Sequence, residues 1–226
     1  MTDESLIREV DEEVRLEQYQ RLWKHYGNFV IALTVVVVAS VAGYKGWQYY
    51  DVSRSETAAR EYFAALSLAA QGKPEEAASG LQAVGGGGHR GYAMLARLQR
   101  AADLGKAGKT AEAVSAYDAV AGDVGAEPAI RDVARIRSAY LLTDSASPAD
   151  LTKRVETLTV AGNPWRNLAR EIIALAAYRT RDFIAADRLM NEVLIDPEAS
   201  EALRRRAQLM LALLAPRLDK PVAGAQ

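Results

Sequence analysis

Two histidines and no cysteine stand in a chain of 226 residues, and that count limits the chemistry it can host. His25 opens an uncharged run and His89 sits inside "GGGGHRG", residues 85 to 91. No histidine-based triad and no metal cluster of workable spacing can be assembled from them. The lack of cysteine removes thiolate nucleophiles, thiolate metal sites and disulfides. "DLGKAGKT", residues 103 to 110, ends in the Gly-Lys-Thr of a phosphate loop, but Asp103 stands where the first glycine is required. The segment also joins two helical stretches, whereas a phosphate loop follows a strand. Glu75 and Glu76 fall at a helix start and complement its dipole. The four glycines at 85 to 88 read as a flexible joint. Arg204, Arg205 and Arg206 spread over the faces of one helix and read as a solvated surface, with anionic headgroups or an acidic partner as the alternative. No catalytic, cofactor-binding or metal-binding residue is assigned, and no enzymatic activity is expected.

The elements that must carry any function are therefore binding elements, and the first is apolar. "HYGNFVIALTVVVVASVAGY", residues 25 to 44, contains no Lys, Arg, Asp or Glu. At about 1.5 Å per residue it is long enough for a hydrocarbon core of about 30 Å. Trp23 and Tyr26 precede it, Trp47, Tyr49 and Tyr50 follow it, and Lys24 and Lys45 stand where ammonium groups reach headgroups. A membrane anchor is expected over 25–50. The rival is a signal peptide cleaved after Ala42, since Ser40, Val41 and Ala42 offer small residues at the two positions a peptidase prefers. Against it stands a leader, residues 1–24, with four Lys/Arg and seven Asp/Glu, longer and more acidic than an export signal allows. Arg8, Arg15, Arg21 and Lys24 before the span outnumber Lys45, Arg54 and Arg60 after it, a small excess that favours a cytoplasmic N-terminus.

The net charge of −1 and hydrophobic fraction of 50% fit neither a disordered acidic chain nor a basic nucleic-acid binder. Residues 1–24 read as a mixed-charge helical leader with Leu6, Val10, Val14 and Leu22 roughly on one stripe. Beyond the anchor the chain is rich in Ala, Leu, Arg and Glu and lacks alternating strand patterns, so helices are expected throughout. Turn signals begin at Gly72, Gly108, Ser145 and Arg181, spaced by 36, 37 and 36 residues. A period in the thirties with one short turn per unit marks stacked helical hairpins.

The side chains obey that period. Ala65, Ala101, Ser138 and Ala174 lie seven residues before the turns; Ala77, Ala113, Asp150 and Ala186 lie five after them. Small residues suit close helix packing, and Val84, Val120, Thr157 and Val193 would be core positions on the second helices. Asp150 breaks the third unit, where a shift of one to Leu151, Val155 and Leu158 restores an apolar stripe and implies a one-residue insertion. Helices are expected at about 51–71, 74–84, 90–106, 110–121, 127–142, 148–159, 164–180, 182–195 and 197–214, with Pro74, Pro148 and Pro164 at helix starts. The fold class is all-α: a single transmembrane helix, then an α-solenoid of about four hairpins plus a capping helix over 51–215. Residues 216–226 read as a loose tail.

The small-residue and turn positions resemble a tetratricopeptide repeat. The layout of "YGNFVIALTVVVVASVAGYKGWQYY" followed by "DVSRSETAAREYFAALSLAAQGKPEEAA" resembles the YfgM-like family of single-pass bacterial inner-membrane proteins, ancillary to the Sec translocon. That resemblance implies a cytoplasmic N-terminus, a periplasmic repeat domain, and association with the SecYEG channel and a PpiD-like periplasmic chaperone. It implies a role in passing translocated polypeptides to chaperones. From the residues themselves, membrane lipid is an expected partner, and no cofactor, nucleic acid or small-molecule substrate is expected. A scaffold for envelope or division complexes and an exported soluble repeat protein are the alternatives. On the concave surface the repeat register places Tyr62, Leu98, Arg135, Glu171 and Tyr178 as candidate partner contacts.

Overall fold

A computed structural model describes the backbone of residues 3–218 and the side chains of residues 23–218. The expected leader stripe and residues 219–226 of the expected tail lie outside the described side chains. Among the described residues there are nine α-helices, one 3-10 turn and no strand. The chain divides into two units, Met1–Glu56 and Thr57–Gln226.

The described residues of the first unit lie within α1 (Asp3–Ala70). Large side chains of its uncharged run are uncovered by protein: Phe29, Val35 and Val38 are exposed, as are Trp47 and Tyr49 just beyond the run. A core helix of a soluble domain would bury these residues. Hydroxyls within the run are satisfied locally, Thr34 Oγ1 donating to the Val30 carbonyl (2.8 Å) and Ser40 Oγ to that of Val36 (2.7 Å). That is how polar side chains are accommodated where water is absent. The described part of α1 (Trp23–Ala70) is long and apolar enough to cross a membrane.

The second unit starts with residues 57–70 of α1 and continues through α2 (Pro74–Gly86), α3 (Arg90–Lys106), α4 (Thr110–Ala121) and α5 (Pro128–Leu141). After α6 (Pro148–Val155) come a 3-10 turn (Glu156–Leu158), α7 (Arg166–Arg179), α8 (Phe183–Ile195) and α9 (Glu201–Leu218). Each helix from α2 to α9 packs on the next, and α3, α5, α7 and α9 also touch in succession. That is a solenoid of helical hairpins.

The turns explain the period. Gly72, Gly108 and Arg181 adopt φ of 77°, 75° and 66°, and each is followed by a bond that reaches back over the helix end. Lys73 N–H donates to the Leu68 carbonyl (3.0 Å), Lys109 to Leu104 (3.0 Å) and Asp182 to Ala177 (2.9 Å). This left-handed closure satisfies orphan carbonyls and reverses the chain in few residues. The third turn differs. Ser145 and Ala146 both donate to Leu142, and no residue there has positive φ. Its second helix, α6, is short, and Ser147 caps it by accepting from Asp150 N–H (3.1 Å).

Core positions follow the one-residue shift: Leu151, Val155 and Leu158 are fully buried, while Asp150 and Thr157 are exposed. Ala65, Ala101, Ser138 and Ala174 are all buried. Ser138 is tolerated because its Oγ donates to Asp118 Oδ1 (2.7 Å) and accepts from Arg154 Nη1 (2.9 Å). A buried hydroxyl without such partners would be costly.

Three expectations are corrected. The glycine run is not a free joint: Gly85 and Gly86 belong to α2, and a Cβ on Gly85 would lie 3.3 Å from Arg97 Cγ, so the missing side chain makes room for α3. Pro164 precedes its helix by two residues, because Asn163 Oδ1 accepts from Trp165 N–H (2.8 Å) in a local turn. The last helix begins at Glu201 in place of 197. There Asp196 is extended and bound to Arg166, so the loop is held by charge before the helix starts.

That contact is the most extensive charged junction among the described residues. Arg166 donates to both Asp196 oxygens (2.7 and 2.6 Å) and to Glu198 Oε2 (2.6 Å), and Arg170 Nη1 donates to Asp196 Oδ2 (3.1 Å). It ties the start of α7 to the loop between α8 and α9. Hydrogen bonds from Arg166 hold the Asp196 carboxyl well below the usual carboxylate range.

Candidate interaction groove

Helices α3, α5, α7 and α9 each present one stripe to a common groove. Val133, Ile136 and Tyr140 form it on α5, Leu168, Glu171 and Leu175 on α7, and Arg206, Leu209 and Leu213 on α9. The spacing i, i+3, i+7 is one face of an α-helix. Ala102 and Gly105 supply small residues on α3, and Tyr117 of α4 and Met190 of α8 reach the floor between the first helices. The groove has a volume of about 1180 Å³ and its surface is mainly apolar, slightly above the usual size of ligand-binding clefts.

One polar seam crosses it. Glu171 is buried and accepts from Arg206 Nε (2.6 Å) and Nη2 (2.8 Å), a two-point guanidinium fork. The Tyr140 hydroxyl also donates to Glu171 Oε2. Burial first, then this bond to a carboxylate, pushes the Tyr140 phenol far above its ordinary value. Burial likewise raises Tyr117, partly opposed by the Arg137 charge. Arg137 is exposed, lines the groove, and has no hydrogen bond or ion pair to any described residue.

Of the five residues chosen from the register, Glu171 lines this groove. Tyr62 is half-buried beside Tyr92, with ring centroids 5.9 Å apart, in the cluster of Ala65, Leu81 and Val84. Leu98 packs on Ala101, Tyr117 and Val120. Arg135 pairs with Asp132 on its own helix (3.2 Å), and Tyr178 packs on Phe183 in a cluster with Ala186 and Leu214. The structure does not bring the five together. Arg137, Tyr140, Leu175 and Arg206 were missed, although the stripes they belong to are visible in the sequence once each first helix is read by i, i+3, i+7.

The arginine triplet is also resolved. Arg204 donates to the Asp196 carbonyl (3.3 Å) and Arg206 holds Glu171, so two of the three are structural contacts. Among the described residues no group of three His, Asp or Glu is placed to hold a metal ion.

A profile of the tetratricopeptide repeat-like domain matches residues 20–172, more than half of the chain. The chain belongs to the tetratricopeptide repeat-like domain family. No curated protein and no solved structure matches it significantly. The matched stretch takes in the uncharged run and ends inside α7, so in this repeat-like domain α8, α9 and the Arg206 side of the groove lie past the matched residues. Membership of a repeat family whose solenoids present concave surfaces supports a protein-binding module.

Proposed function

We propose that the chain is a membrane-tethered protein–protein interaction module of the YfgM-like type, ancillary to the SecYEG translocon, that helps pass translocated polypeptides to a PpiD-like periplasmic chaperone. In this proposal the apolar helix spans the bacterial inner membrane with the N-terminus in the cytoplasm, and the repeat-like domain works in the periplasm. The observation that carries it is the apolar groove built by successive first helices, on a chain that also holds a helix able to span a bilayer. Binding, and not catalysis, is the proposed activity, because the groove offers tyrosines, arginines, one lysine and a carboxylate already held by Arg206, with no paired nucleophile and base.

The test is crosslinking in the cell followed by purification of the full chain. A photoreactive residue replacing Leu175 is expected to give adducts with channel subunits or a periplasmic chaperone. Recovery of lipid and self-adducts alone contradicts the translocon assignment.

A further inference from the structure

Three cations line the groove, Lys106, Arg137 and Arg206, against the single carboxylate of Glu171. Arg206 spends its charge on Glu171, so that pair is neutral within the floor. Lys106 makes a loose contact with Asp103 (3.6 Å) and its side chain is mostly exposed. Arg137 makes no ion pair with a described residue and sits one turn before Tyr140, beside the apolar stripe of Val133 and Ile136. An apolar trough with an unspent guanidinium at its wall is complementary to an apolar segment that carries a negative charge.

We infer that the groove takes an extended polypeptide segment in which a carboxylate is flanked by aliphatic or aromatic side chains, the carboxylate pairing with Arg137 and the apolar side chains covering Ile136, Leu175, Leu209 and Leu213. The inference rests on the interaction-module reading and adds the chemistry of the partner. A polypeptide fits better than an acyl chain because the Tyr140–Glu171–Arg206 seam crosses the apolar floor. An acyl chain would cover those polar groups and offer them nothing, whereas a peptide backbone supplies donors and acceptors along its length. The guanidinium fork also favours a planar carboxylate over a diffuse negative surface.

The test uses the full chain in lipid nanodiscs and fluorescent ten-residue peptides with blocked ends, rich in Leu and Phe around one central Asp, Asn or Lys. Anisotropy is expected to show the Asp peptide binding roughly tenfold more tightly than the Asn peptide, as a charge-assisted bond implies, with the advantage shrinking as salt rises. Arg137→Gln is expected to erase the Asp-over-Asn preference, and Leu175→Glu to weaken both. Arg137 is exposed, so the variant should fold; Lys106→Gln, expected to lower the preference less, provides a second readout. Equal binding of all three peptides, or a preference that survives Arg137→Gln, overturns the inference. If binding is then still lost in Leu175→Glu, the groove stands and only its charge selection falls. If Leu175→Glu alters no peptide's affinity, both fall. A self-associated chain that Leu175→Glu dissociates, with no peptide bound, also overturns it in favour of a second copy.

Discussion

Asp196 closes the loop between α8 and α9 by accepting from Arg166 and Arg170, and that closure is acid-sensitive. Its folded-state carboxyl lies below the ordinary value. The stabilisation is therefore fully present above the unfolded Asp value of about 3.9 and is lost as pH falls through the depressed folded value. Asp196→Asn should be less stable than the parent at pH 7, and the gap should narrow as pH drops below about 4. Urea unfolding at pH 7 and pH 3 measures it; a gap that stays constant contradicts the assignment. At this scale the sequence was least legible. Arg135 and Arg137 differ by two positions, yet one turns to Asp132 on its own helix and the other lines the groove. Spacing measured from turns could not separate them, because it fixes a position along a helix and not the face that meets the groove. Glu171 lines the groove, whereas Leu98, ten residues before a turn just as Glu171 is, packs into the core.

Turns and core stripes were legible at the scale of elements, since glycine and proline punctuate the chain and each helix has one apolar face. Gly72 and Gly108 take positive φ without steric cost, and Arg181 occupies the equivalent backbone without glycine's freedom. Arg181→Gly is expected to stabilise the domain by up to about 1 kcal/mol and Gly108→Ala to destabilise it by about 1 kcal/mol, since a side chain is disfavoured in the left-handed region. Thermal or urea unfolding of the two variants should shift in opposite directions. In the third unit the sequence showed that something was irregular but not what. The physical reason is that Ser147 and Asp150 cap α6 in place of a left-handed residue. Ile172 is wholly buried in the core between α7 and its neighbours. Ile172→Ala should cost about 2–5 kcal/mol, and a cost within about 0.5 kcal/mol, typical of a surface site, would contradict that packing.

At the scale of the whole molecule, one chain carries both an apolar helix and a groove-bearing repeat-like domain. If the span is kept as the proposed anchor, the mass found retains residues 1–42 of this 24.5 kDa sequence; a species beginning after Ala42 would turn the span into an export signal. The chain has no cysteine, so single replacements report topology without background. A cysteine at Ser200 should react with an impermeant maleimide in spheroplasts, while one at Ser5 should react only after lysis. The most direct measurement compares photocrosslinkers at Leu175, in the groove, and at Ile184, exposed elsewhere on α8. Adducts to other polypeptides are expected from position 175 that position 184 does not form. Identical adduct patterns from the two positions would contradict the groove as the binding surface.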